Sequence, residues 1–194
     1  MFLKTIAEAE ATGRIAEIYA ADLAQHGFVM SATACWTVRP DLLPAWSAFF
    51  AQVKAGLSLS PRDWRLVTFI AARQVPSTYC SVVYGRMLVG DLGSKEMVLA
   101  VQRDFHTAGL GARDVAMLAY AEAVARDASQ VTQADIDRLR AAGFRDAEIG
   151  DIALAASLRC FMARFFDAVG AGPEAAFLDD AGFSAALAVG RRPQ

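Results

Sequence analysis

The chain has 194 residues, with 19 basic against 21 acidic side chains for a formal charge of −2, and 55% of its residues are hydrophobic against 21% charged. That length and balance fit one compact domain. The lack of a concentrated basic segment argues against nucleic acid as a partner. The longest apolar runs, such as Ile152 to Ala156 and Phe69 to Ala72, fall far short of the roughly 20 residues that cross a bilayer. Near the N-terminus Lys4, Glu8 and Glu10 interrupt the apolar residues, unlike the succession of a signal peptide. A cytoplasmic protein with no membrane attachment is expected.

Cys35, Cys80 and Cys160 are odd in number and widely spaced, unlike a disulfide framework. His26 and His106 stand apart from them, so no metal site is expected. Nor does a glycine-rich phosphate cradle mark a flavin or nicotinamide cofactor. Forty of the residues are alanine, and the six prolines fall between periodic segments or in first turns. The expected fold is all-α.

In chain order, a helix from about Gly13 to Gln25 carries Ile15, Ile18, Tyr19 and Leu23 on one face and stops at Gly27. After a less regular stretch from Val29 to Arg39, a helix beginning near Pro40 presents Leu42, Leu43, Trp46, Phe49, Phe50 and Val53 and closes at Gly56. It reads as strongly buried. Ser60, followed by Pro61, starts the next helix, which Pro76 ends. Ser77 then stands where it can cap another, with Thr78, Tyr79 and Cys80 in the first turn. Ser94 can cap a short helix to about Phe105, and a further one covers Ala112 to Ala128. Thr132 to Asp135 resembles a capping box leading to a stop at Gly143. The last long helix, from Asp146 towards Gly170, is apolar on so many sides that it is expected at the centre, against the Cys80 helix. A domain spanning residues 1–172 is thus expected, a bundle of about eight helices, with a tail from 173 to 194. In that tail Ala175 to Leu178 and Phe183 to Val189 form one or two short helices that dock on the same chain or a neighbouring subunit.

The stretch Leu59-Ser60-Pro61-Arg62-Asp63-Trp64-Arg65, with Ala71-Ala72-Arg73 and then Ser77-Thr78-Tyr79-Cys80-Ser81-Val82-Val83-Tyr84, resembles the alkylhydroperoxidase D and carboxymuconolactone decarboxylase superfamily. It is most similar to the superfamily's peroxidase-related branch. Further landmarks are Ala11-Thr12-Gly13-Arg14, Val131-Thr132 with Asp135, Ala142-Gly143-Phe144, and Arg164 with Asp167-Ala168 and Gly170, so the resemblance covers nearly the whole chain. Active relatives carry Cys-x-x-Cys with a histidine four residues later and a glutamate twelve residues before the first cysteine. Here Ser77, Tyr84 and Arg65 stand in the positions of the first cysteine, the histidine and the glutamate; only Cys80 matches. The late helix reads Cys160-Phe161-Met162-Ala163-Arg164 where many relatives have Asn-Phe-x-Asn-Arg.

The resemblance implies a thiol peroxidase in which Cys80 attacks a hydroperoxide, and a homo-oligomer: trimer, dimer or hexamer. Tyr84 is a weak base at neutral pH but can donate a hydrogen bond, while Arg65 and the helix N-terminus can favour a thiolate. Without a cysteine at position 77, a sulfenic acid at Cys80 calls for an external thiol reductant. The candidate catalytic groups are Cys80, Tyr84, Arg65 and Ser77. Each has a purely structural reading: a buried inert thiol, a core aromatic, an ion-paired arginine and an N-cap. Two other functions stay open. One is a pocket for a small hydrophobic ligand or a scaffold without redox chemistry. The other is a lyase or isomerase in which Arg65 holds a substrate carboxylate and Tyr84 exchanges a proton.

Overall fold

A computed structural model describes residues 1–191, and among them all regular structure is helical. Ten α-helices follow in order: α1 (Gly13–His26), α2 (Ser31–Ala34), α3 (Leu43–Gly56), α4 (Pro61–Gln74), α5 (Thr78–Leu92), α6 (Lys95–Asp104), α7 (Ala112–Asp127), α8 (Gln133–Ala141), α9 (Asp146–Val169) and α10 (Ala181–Leu187). The count exceeds the expected eight because the stretch after Gly27 winds into α2 and a 3-10 turn, and the tail forms α10.

Sequence punctuation sets the boundaries. Gly27, Gly93 and Gly170 end their helices in the left-handed region, where a side chain is disfavoured. The Ser60 and Ser94 hydroxyls accept hydrogen bonds from the Asp63 and Met97 amides at 3.0 and 3.1 Å. Ser77 occupies the N-cap position of α5, but its hydroxyl makes no capping bond.

The hub is α4, which packs against α5, α7 and α9 and is buried from Leu66 to Ala72. The Cys80 helix and the long α9 do meet, but less extensively than either meets α4. A second correction concerns α3. Only Leu43 is buried there, and Phe49 is 49% exposed, because α1 packs along one side of α3 and leaves the other to solvent.

The tail lies on its own chain. Leu187 is fully buried beside Phe69 and Gly85; a Cβ at Gly85 would meet the Leu187 methyls at 2.7 Å, so glycine makes room for the leucine. The Leu187 carbonyl accepts from Ser81 Oγ at 2.6 Å and Gln102 Nε2 at 3.0 Å, tying the tail to α5 and α6. The Gly190 amide donates to Thr78 Oγ1 at 2.9 Å. No helix among the described residues is long and apolar enough to cross a membrane.

Candidate functional site

Cys80 sits in the first turn of α5, fully buried, where the helix's N-terminal amides make the local field positive. Its neighbour from α9 is Arg159, whose Nη1 donates to Cys80 Sγ at 3.4 Å. Arg159 Nη2 donates to the Tyr84 hydroxyl at 2.7 Å, with the guanidinium carbon 4.6 Å from the centre of the Tyr84 ring. Cys80 and Tyr84 lie one helical turn apart, so a single planar fork from the facing helix spans both.

Arg159 is 2% exposed, and no carboxylate among the described residues lies within ion-pair distance of it. Its Nε is also buried without an acceptor. Desolvation works against the cation, yet Tyr84 and Cys80 outweigh it and hold the guanidinium above its ordinary pKa. A buried, uncompensated charge is among the costliest features a core can carry. It points to a function for the sulfur and the phenol it touches.

Arg65 does not provide that charge. Its guanidinium is gripped by Asp91 on α5 through bonds of 2.6 and 2.7 Å, and this pairing raises its pKa. Ser77 is fully buried one turn before Cys80. Its hydroxyl makes no hydrogen bond of regular geometry, although it lies near enough to the Asp167 carboxyl to favour that group's ionised form. The structure thus brings Cys80 and Tyr84 together through Arg159, while Arg65 belongs to a separate ion pair.

The residues around the trio are fixed in place. The Tyr79 hydroxyl accepts from the Ala32 amide at 3.1 Å and donates to Glu174 Oε1 at 3.3 Å, which also receives the Ser31 amide at 2.5 Å. Burial, with the Glu174 charge added, drives the Tyr79 pKa well up. Cys35 is fully buried, its thiol donating to the Ala32 carbonyl at 3.4 Å, and desolvation pushes its pKa up to about 12. Burial also raises the Cys160 thiol on the far side of α9. No cluster of three or more metal-ligating side chains occurs among the described residues.

Asp167 offers a test of this end of the helix pair. Desolvation raises its pKa, with Ser77 and Arg191 opposing. A raised acid binds its proton more tightly in the folded chain, so the stability it contributes is present at low pH and lost as pH rises through the carboxylate range. Relative to wild type, Asp167→Asn is expected to gain stability as pH rises from about 4 to 6, followed by urea unfolding. An unchanged slope would remove the desolvation argument.

Sequence reasoning missed Arg159. Its signal is an arginine flanked by Leu158 and Cys160, with Ala155, Ala156, Met162 and Ala163 at the i±3 and i±4 positions where an acidic partner could stand.

No known protein-family profile matches the chain, and neither does any curated protein. Solved structures do. An uncharacterized peroxidase-related protein from Ralstonia eutropha JMP134, described as an alkylhydroperoxidase AhpD core, superposes with a TM-score of 0.83 at 22% identity, covering 100% of this chain and 97% of its own. A peroxidase-related protein from Silicibacter sp. TM1040 gives 0.78 at 21% identity, covering 89% and 93%. The debrominase Bmp8, as a cysteine-to-alanine variant in complex with 2,3,4-tribromopyrrole, gives 0.76 at 18% identity, covering 93% and 97%. This chain has the all-helical AhpD-core fold seen in these peroxidase-related proteins.

Proposed function

We propose that the chain belongs to the peroxidase-related branch of the alkylhydroperoxidase D and carboxymuconolactone decarboxylase superfamily and reduces hydroperoxides with Cys80 as its single reacting thiol. The observation that carries this reading is the buried Arg159 guanidinium, which has a thiol and a phenol, and no carboxylate, as its partners. A thiolate at Cys80 neutralises that charge. The sulfur attacks the distal peroxide oxygen, the S–O bond forming as the O–O bond breaks. The departing alkoxide takes a proton from Tyr84, whose hydroxyl already accepts from Arg159 and so has its own O–H free to donate. Solvent reprotonates the phenol. Cys80 is left as a sulfenic acid; one external thiol converts it to a mixed disulfide and water, and a second releases the Cys80 thiol and a disulfide. Ser77 borders this site without a step of its own, and Arg65 positions α4 against α5 through Asp91.

Cys80 is fully buried, so reaction waits on local opening of the helix pair. The test is dimedone trapping after brief exposure to hydrogen peroxide or an organic hydroperoxide, read by peptide mapping, with Cys80→Ser as control. Trapping is expected at Cys80 at least about tenfold faster than at Cys35 or Cys160, whose burial disfavours their thiolates. Equal, slow labelling of all three would leave a binding role as the better account. Because a debrominase shares the fold, the same experiment includes a polybrominated pyrrole. Consumption of that compound by Cys80, with hydroperoxides ignored, would reassign the substrate.

A further inference from the structure

The contacts between α5 and α9 step along an antiparallel pair. Arg159 meets Tyr84 and Cys80, the Phe166 and Tyr79 rings lie edge to face at 5.6 Å, and Asp167 comes near Ser77. Cys80 therefore lies within one helical turn of the end of the pair that Ser77 and Asp167 mark. A cleft of about 210 Å³ opens at that end, floored by Thr78 and Tyr79, the two residues before Cys80. A larger cleft beside α5 lies at Arg86 and Val89, well past Cys80 along the helix.

The smaller cleft has a polar side and an apolar side. On the polar side Asp167 offers carboxylate oxygens, the first amides of α5 receive no capping bond from Ser77, and the buried Ser77 hydroxyl has no partner. Pro173, Leu178 and Phe2 form the apolar side. Asp167 and Arg191, 3.9 Å apart, balance each other's charge, so the cleft favours neither an anion nor a cation. The ligand that fits is uncharged, with a donor, acceptor oxygens and an apolar group. The volume is below the about 300–1,000 Å³ of pockets for drug-sized ligands, so that molecule is a compact one. An organic hydroperoxide, ROOH, carries these groups.

Phe2 closes the cleft. Its ring rests on Gly170, where a Cβ would come within 2.7 Å of it, and the Arg191 guanidinium carbon stands 4.5 Å from the ring centre. The Phe2 amide donates to the Val169 carbonyl at 2.9 Å. Residues 1–3 lie outside any helix and Phe2 is 65% exposed, so swinging this ring aside uncovers little buried surface.

We propose, on the reading of Cys80 as the reacting thiol, that this cleft binds an uncharged, compact organic hydroperoxide on its way to the sulfur and that Phe2 is the gate that admits it. The opening that reaction at a buried Cys80 needs starts at the Ser77–Asp167 end of the helix pair, because the thiol lies within one turn of it.

Iodoacetamide separates access from peroxide chemistry, since it alkylates a thiol it can reach without any O–O bond to break. Read by peptide mapping, Phe2→Ala is expected to speed alkylation of Cys80 about tenfold and to leave Cys35 and Cys160 unchanged. Gly172 lines the same cleft, and a Cβ there meets no atom within 4 Å. Gly172→Trp fills the space and is expected to slow Cys80 alkylation about tenfold. It is also expected to slow oxidation of Cys80 by cumene hydroperoxide at least about tenfold, but by hydrogen peroxide less than about threefold, because the smaller peroxide does not use the apolar side. Circular dichroism checks that both variants keep their helices. Alkylation unchanged in both variants, with hydroperoxides still oxidising Cys80, overturns the cleft and spares the peroxidase reading. Equal slowing of the two peroxides overturns the choice of ligand. Alkylation that follows the two variants while no hydroperoxide oxidises Cys80 supports the route and overturns the peroxidase reading instead.

Discussion

Replacing Arg159 with methionine is expected to make the protein more stable and Cys80 less reactive. The guanidinium is 2% exposed, its Nε has no acceptor, and no carboxylate compensates it. Methionine fills a similar volume without a charge to desolvate, so the gain is about 1–3 kcal/mol, within the range seen when buried ionic groups are replaced by packed apolar ones. The sulfur loses its charged donor at 3.4 Å and Tyr84 loses the bond that orients its hydroxyl. A hydrogen bond to a charged group is worth about 1.5–3 kcal/mol, which translates to a fall of about 10- to 150-fold in the rate of sulfenic acid formation. Urea unfolding and stopped-flow peroxide kinetics on one preparation measure both effects. Arg159→Lys is expected to fall between the two proteins, since an ammonium lacks the planar fork that reaches Sγ and the phenol together. A destabilised Arg159→Met protein with an unaltered rate would make Arg159 a packing residue and remove the main support for a reactive Cys80.

The second large effect is expected at Leu187. This side chain is fully buried, occupies the space that Gly85 leaves open on α5, and anchors the end of α10. Its truncation to alanine removes the leucine's packing and leaves a cavity between α4, α5 and the tail, at a cost of about 2–5 kcal/mol. The bonds from Ser81 and Gln102 go to the Leu187 backbone carbonyl and persist in the variant. Loss of stability, followed by urea unfolding, therefore measures packing alone. A loss under about 1 kcal/mol would mean that the tail contributes little to the folded state, because a well-packed buried leucine cannot be truncated so cheaply.

Helix ends were legible because their chemistry is local. Ser60, Ser94, Gly27, Gly93 and Gly170 act within a turn of their own position, and the spacing around them suffices to place α1, α4, α5, α6 and α9. The depth of a helix is not local. The apolar residues of α3 read as buried, yet Leu42 and Phe49 face outwards, since a hydrophobic stripe wider than its neighbours cover looks the same in sequence as a fully packed one. The central position fell to α4, whose Arg62 and Arg65 give it a polar look; those charges are taken up by Asp114 and Asp91 at its rim while Leu66 to Ala72 fill the core. At the candidate site, Cys80 and Tyr84 could be paired by their four-residue spacing. Arg159 lies 79 residues further along than Cys80, and only the packing of α9 on α5 joins them. The cation expected beside the thiol was Arg65, which pairs with Asp91 instead; the guanidinium that meets the Cys80 sulfur is that of Arg159, from α9.

The indole rings of Trp36 and Trp46 lie 4.5 Å apart and within 17° of parallel, against Phe161 and Phe165 of α9. Stacked indoles share their electronic transitions, so this pair gives the protein an optical signature that exists only while α3 rests on the 3-10 turn that carries Trp36. Because Phe161 of α9 packs against both indoles, near-ultraviolet circular dichroism can report, without any label, movement of the helix that carries Arg159.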